Sequence, residues 1–291
     1  MKEQTYYCYR YFIIENKQSS LLLKENRITN LVKACQSHHL EATVSSGKTY
    51  GLVFVREIDS GTFLLKFFKK TKVKKYAFND DVDDITETHD PSLPFVYIVL
   101  STAYQIVLVG RNTSVFQSPE AARSAFLKFL ASSIDDPNVT ITLDPIVDNM
   151  EFWYLVSDAS KIYKLSLTLR SPNLFGSAKK TSDFLAAVQE EVNNDSLSLR
   201  FENESGELKI SKDEFEDALS YADGGGGEWM LEYAQCGGHE KKTVKSGSKV
   251  MSVPIPEISE EQPLLAEIDQ DVIRALRKAE QVLPRRTDIP K

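Results

Sequence analysis

Leu93-Pro94-Phe95-Val96-Tyr97-Ile98-Val99-Leu100-Ser101-Thr102-Ala103-Tyr104-Gln105-Ile106-Val107-Leu108-Val109 is the most apolar stretch of the chain, and its reading decides the fold. Pro94, Ser101, Thr102 and Gln105 interrupt it, and it falls short of the roughly 20 apolar residues that a membrane helix needs. It predicts two strands, Phe95 to Leu100 and Gln105 to Val109, joined by a short turn. The bilayer is therefore not the expected home of this segment.

On its N-terminal side, Tyr50 to Glu57 and Thr62 to Lys69 flank the turn sequence Ile58-Asp59-Ser60-Gly61, so a second hairpin is expected. Tyr6 to Ile14 is aromatic and β-branched and reads as an opening strand. Ile28, Leu31, Val32 and Cys35 recur at helical spacing and predict a helix from Lys24 to His38. Asp80, Asp81, Asp83, Asp84, Glu87 and Asp90 read as a solvated acidic loop.

On the C-terminal side, Ser118-Pro119-Glu120 supplies a cap, a first-turn proline and an acid for the helix dipole, which opens a helix to about Ala131. Thr140 to Ile146, Phe152 to Val156 and Lys161 to Arg170 look like further strands, and Ser171-Pro172-Asn173 breaks the run. A second unit is expected from Ser171. Ser182 caps a helix through Val192, and Ser196 to Glu202 pairs with Glu207 to Ile210 around Glu204-Ser205-Gly206. Ser211-Lys212-Asp213-Glu214 has the pattern of a capping box, with a helix ending near Ala222. Glu228 to Gln235 and Ser248 to Ile255 read as paired strands joined by a basic loop. Pro254, Pro256 and Pro263 mark a linker before a final amphipathic helix from Leu264 to about Val282. The expected fold class is α+β, in two lobes of mainly antiparallel sheet with packed helices. The expected division is 1–170, 171–256, and a linker and terminal helix over 257–291.

Composition narrows the function classes. Hydrophobic residues are 42% of the 291, enough for a real core and against wholesale disorder. A net charge of −7 excludes a histone-like general binder. Three cysteines, Cys8, Cys35 and Cys236, make no disulfide framework, and the N-terminus lacks the apolar core of a signal peptide, so a cytoplasmic location is expected.

Against this acidic background, six lysines crowd into ten residues: Lys66, Lys69, Lys70, Lys72, Lys74 and Lys75. Such a strip suits a phosphate backbone, because each lysine that neutralises a phosphate releases a counterion. It equally suits a solvated strand face kept for solubility. Phe67, Phe68 and Tyr76 accompany the charge and offer surfaces for base stacking. In a regular strand Lys66, Lys70, Lys72 and Lys74 share one face, with Lys69 and Lys75 on the other. A second basic group, Lys241, Lys242, Lys245 and Lys249, lies in a glycine-containing loop, and the terminal helix and tail add Arg274, Arg277, Lys278, Arg285 and Arg286.

Other motifs are weaker. Gly224 to Gly227 lacks a following Lys-Ser or Lys-Thr and precedes a strand, the wrong order for a phosphate loop, so a flexible turn is expected. Cys35-Gln36-Ser37-His38 and Cys236-Gly237-Gly238-His239 share a spacing usable for zinc, but lie about 200 residues apart without a recognised knuckle, and no metal or cofactor is expected. Glu207-Leu208-Lys209, with Asp195, has the acidic and basic groups of a metal-dependent nuclease half-site. The same tripeptide pattern recurs at Glu15-Asn16-Lys17 and Glu240-Lys241-Lys242, which shows how little it specifies.

The stretches Tyr6-Tyr7-Cys8-Tyr9-Arg10, Ile58-Asp59-Ser60-Gly61-Thr62-Phe63-Leu64-Leu65, Pro94-Phe95, Ile141-Thr142-Leu143-Asp144-Pro145 and Arg170-Ser171-Pro172-Asn173 occur in an order that resembles the RexA family of lambdoid phage exclusion proteins and a loose group of uncharacterised bacterial proteins. The resemblance covers about two-thirds of the chain, excludes Gly224 to Gly227 and the terminal helix, and carries over no individual binding residue. It implies a cytoplasmic DNA-binding homodimer without a known catalytic site, acting in phage exclusion beside a separate membrane protein. The expectation is a non-enzymatic protein that binds double-stranded DNA largely without regard to sequence. The alternatives are the nuclease above, or a protein-binding component that leaves nucleic acid alone.

Overall fold

A computed structural model describes residues 2–15, 39–79, 84–133, 139–170, 179–192, 194–237, 240–258 and 266–281, with positions 33 and 36. Apart from Lys33 and Gln36, the predicted helix at Lys24 to His38 lies outside the described residues, as do the 80–83 segment, the Ser171 break and the tail arginines.

The apolar stretch forms β7 (Phe95–Ser101) and β8 (Ile106–Gly110), paired antiparallel as predicted. They sit at the centre of an eight-stranded antiparallel sheet. Across it β7 pairs with β4 (Thr62–Lys69), β4 with β3 (Thr49–Asp59), and β3 with β2 (Leu40–Thr43). On the other side β8 pairs with β1 (Glu3–Glu15). Two strands then share the far edge of β1 end to end. These are β14 (Ser252–Pro256) along Glu3 to Tyr7, and β9 (Val139–Pro145) along Tyr9 to Glu15. Cys8 joins them, donating its N–H to Met251 O (2.9 Å) and accepting from Ile146 N (3.0 Å).

Both faces of this sheet are covered, which is why its central strands read as continuous apolar runs rather than as alternation. Helix α1 (Pro119–Ser133) packs Phe126 and Phe129 into a cluster with Tyr9, Phe63, Leu65, Phe67, Ile98 and Val107. Ser118 Oγ accepts from Ala121 N (3.1 Å), as its cap sequence predicts. On the other face lies the C-terminal amphipathic helix (Ala266–Glu280). Its Ile268, Val272 and Leu276 meet Tyr6, Leu64, Val99, Ile106 and Leu108. Arg56 Nη1 reaches Asp269 Oδ2 at 2.7 Å, pinning that helix to β3.

The second sheet has the order β11 (Ser196–Glu202), β10 (Ala159–Arg170), β12 (Gly227–Gln235), β13 (Lys241–Lys245), all antiparallel. Leu165, Leu167, Trp229 and Leu231 form its core with helix α2 (Asn149–Asp158), helix α3 (Lys179–Val192) and helix α4 (Lys212–Tyr221). The terminal helix is thus α5.

Several sequence expectations are corrected. Phe152 to Val156 is helical rather than extended: Asp148 accepts from Met150 N (3.1 Å), and Phe152 and Leu155 are spaced to bury one helical face. A five-residue apolar run carries no period that separates the two states. Glu207 makes only an isolated parallel bridge to Ile162, so Glu207 to Ile210 does not pair with β11. Helix α4 begins where predicted, but Ser211 makes no side-chain cap bond. Ser252 to Pro256 leaves β12 for the first sheet, while β10, before residue 170, belongs to the second. The sheets therefore interleave in sequence and do not divide at 170 and 256.

Gly224 to Gly227 is a turn from helix to strand, but a buried one between the lobes rather than a flexible one. Arg10, 4% exposed, donates from Nε to Gly224 O (2.6 Å) and from Nη1 to Tyr104 O (3.0 Å). Gly225 has φ +87°, and a Cβ there would lie 2.4 Å from Arg10 Cβ. Arg170 pairs with buried Asp144 (3.1 Å), and Arg123 bridges Leu143 O (2.8 Å) and Glu228 (2.6 Å) across the same seam.

Asp223, in this turn, accepts from Trp229 Nε1 at 2.7 Å, and burial pushes its carboxyl up to about 7. Between the ordinary carboxylate range and that value, the folded state keeps a proton that the unfolded chain releases. Stability should therefore fall as pH rises from about 4 to about 7, by at most about 4 kcal/mol. Asp223→Asn keeps the acceptor for Trp229 and should flatten that fall, raising the melting temperature at pH 8 more than at pH 5. Parallel thermal melts check this, and equal shifts at the two pH values would refute it.

Candidate nucleic-acid interface

The lysine strip does not lie on one strand. β4 ends at Lys69, and after Lys70 the chain enters β5 (Thr71–Asn79), which pairs with β6 (Asp84–Ser92) as a separate two-stranded sheet. The ribbon continues the β4–β7 ladder outward, with Phe68 opposite Phe95 and Thr71 opposite Ser92. It spans roughly 25 Å at 3.3 Å per residue, and neither strand packs extensively on another described element. Part of the expected acidic loop is thus strand β6. Its extension follows from pairing with β5, because a ribbon without a buried face needs no apolar alternation.

The break at Lys70 distributes the six lysines differently from a regular strand. Lys66 is half-buried on the α5 face, its Nζ 4.4 Å from the Phe95 ring centre and 5.6 Å from Tyr97. That contact holds the ammonium against the sheet. Lys69 turns to the α1 face and lines a cleft at the ribbon's root. Lys70 anchors the root, its N–H bonding Thr49 O (2.9 Å) and its Nζ reaching Glu41 (3.3 Å). Lys72 and Lys74 are exposed on one face of β5, roughly 7 Å apart. Lys75 lies on β5 opposite Thr88, and its side chain is outside the described residues.

Charge along the ribbon is partly segregated. Lys72 and Lys74 stand opposite Pro91 and His89, whereas Asp90 stands opposite Val73 on the other face. Glu87, opposite Tyr76, is the acid whose register falls on the lysine face. Phe67 and Phe68 are not stacking platforms. Phe67 is fully buried between Tyr50, Phe116, Phe126 and Phe129, and Phe68 covers Gly51 and stacks on His39.

The cleft at the root adds cations from distant sequence. Lys48 follows the β2–β3 turn, and Lys128 projects from α1 beyond Ala121, Ser124 and Ala125, whose small side chains leave the space. Neither was legible as part of the strip, since Lys48, Lys69 and Lys128 stand on three different elements. Among the described residues none of these three lysines has a carboxylate partner, and no carboxylate lines the cleft.

The second basic group is half neutralised. Lys241 pairs with Glu232 (3.5 Å) and lies 4.0 Å from the Tyr163 ring centre, and Lys249 pairs with Glu151 (3.0 Å). Lys242 donates to Gln235 Oε1 (2.7 Å), and Lys245 is exposed on edge strand β13. On the terminal helix Arg274 is paired with Asp271 (2.6 Å).

The nuclease set is not assembled. Asp195 adjoins Ser196, which stands opposite Arg170, while Glu207 bridges Ile162. Eight residues of β10 separate those positions, roughly 25 Å at strand rise, too far for one metal. Among the described residues no three acids, histidines or cysteines cluster as a metal site. Of the proposed zinc set, Cys236 is exposed, and Cys35, His38 and His239 lie outside the described residues. No described helix is long and apolar enough to cross a membrane.

No protein-family model, curated protein or solved structure matches the chain.

Proposed function

We propose that the protein binds double-stranded DNA without catalysis and largely without regard to sequence, through the β5–β6 ribbon. The observation that carries this reading is a two-stranded ribbon that stands out from the body of the sheet with Lys72 and Lys74 exposed on one face. A two-stranded ribbon fits the major groove, and the Lys72–Lys74 spacing matches about two base-pair rises along the duplex axis. Lysines to phosphate fix position but read no bases, so sequence should matter little. With Lys241 and Lys249 paired to acids, the second basic group should contribute less than the ribbon. As a homodimer, the form that the RexA-like resemblance implies, the protein would present two ribbons, in keeping with a role in phage exclusion.

Mobility shifts at about 50 mM salt with several unrelated duplexes of equal length test the reading. Similar affinity for all of them, with plasmid left intact in Mg²⁺, is the expected result. Failure to retain any duplex, or strong preference for one, would reject it.

A further inference from the structure

The root cleft has a chemistry of its own. It encloses about 550 Å³ between the β2–β3 turn, the end of β4, the loop before α1 and one face of α1. That volume is within the range of small-molecule sites and exceeds what a single phosphate needs. Lys48, Lys69 and Lys128 converge on it from three elements. In a chain of net charge −7, several lysines elsewhere on the surface pair with acids, as Lys70, Lys164, Lys241 and Lys249 do. Three ammonium groups around one concavity without a described carboxylate create a local positive field that a small anion would neutralise. Ser46, Thr113 and Ser124 add hydroxyl donors along the walls. The floor is rigid: Phe116 lies parallel to Phe67 at 5.7 Å between ring centres and stacks on Tyr50 at 6.3 Å. A packed floor lowers the ordering cost of binding.

We propose that this cleft binds a small polyphosphate anion, with Lys48, Lys69 and Lys128 holding the phosphates. A nucleoside triphosphate and an inorganic polyphosphate share that chemistry. The site stands apart from duplex binding, because the cleft lysines lie on the body of the sheet and α1, whereas Lys72 and Lys74 lie on the ribbon.

Isothermal titration calorimetry at low salt with ATP, sodium tripolyphosphate and adenosine tests it. Both phosphate compounds should bind and adenosine should not. Lys48→Ala with Lys128→Ala should weaken binding roughly tenfold or more, as expected for lost charge-assisted contacts. Lys72→Ala with Lys74→Ala should leave binding unchanged, which separates this site from the ribbon. Tighter binding of ATP identifies a nucleoside ligand, and equal binding identifies the inorganic chain. Lys48 and Lys128 are exposed, so circular dichroism should show the cleft variant folded. No heat with either phosphate compound, or undiminished binding by the folded cleft variant, overturns the proposal.

Discussion

Excising the ribbon is expected to abolish retention of duplex DNA while leaving the rest of the protein folded. The cut has a natural place. Lys69 N–H donates to Pro94 O (3.1 Å), and Phe68 stands opposite Phe95, so β4 and β7 are already in hairpin register there. Replacing residues 70–93 with Asn-Gly closes them with a two-residue turn of the type that matches strand twist. Little core is lost, because β5 and β6 pair with each other and Val73 and Ile85 are exposed in the intact chain. The loss of Lys70 also frees Glu41 on the sheet edge, which further disfavours a polyanion. Affinity should fall by at least about a hundredfold at moderate salt, given the steep dependence of binding on phosphate contacts. Circular dichroism and a near-unchanged melting temperature check the fold, and gel mobility checks the loss. Full DNA retention by a folded, ribbon-less protein would place the interface elsewhere.

The second large effect concerns the seam between the lobes. Gly227→Ala is expected to destabilise the protein by about 3 kcal/mol or more, the upper range for overpacking. A Cβ at this position would stand 2.1 Å from the Thr168 carbonyl oxygen and 3.1 Å from Leu169 Cα. Both are backbone atoms of β10, directly across the ladder, where Gly227 stands opposite Leu169. No side-chain rotation relieves that clash, so β10 and β12 must part at the centre of the second sheet. Loss of that pairing would also disturb Trp229, which packs on Phe152 and is bonded to Asp223. Gly47→Ala is the control. Gly47 has φ +75° but nothing within 4 Å of a new Cβ, so its cost should be only about 1 kcal/mol, from backbone strain. Urea denaturation of both variants measures the difference, and equal midpoints would contradict the packing argument.

How much of this was legible in the sequence follows from what each element depends on. The β7–β8 and β3–β4 hairpins were readable because their turns are local, and because burial on both faces leaves long apolar runs. The α1 start was readable because Ser118 and Pro119 act within one turn. The partner of Ser252 to Pro256 was not, since it lies at Glu3 to Tyr7, at the opposite end of the chain, and nothing local encodes that register. The tight glycine run looked mobile because its neighbours, Arg10 and Thr168, approach only in the folded state. In the candidate site, the density of lysines was visible, but their faces were not. A one-residue interruption at Lys70 separates Lys66 and Lys69 from the ribbon. The cleft was invisible for the same reason as β14: Lys48, Lys69 and Lys128 meet only through tertiary packing.

The most direct test of the ribbon as a DNA-binding surface is the salt dependence of duplex affinity, measured for the wild type and for Lys72→Ala with Lys74→Ala. Each phosphate contact contributes about 0.9 to the slope of log affinity against log salt concentration. The double substitution should therefore reduce the slope by about 2 and weaken binding similarly for every duplex. An unchanged slope in the folded double variant would contradict the account.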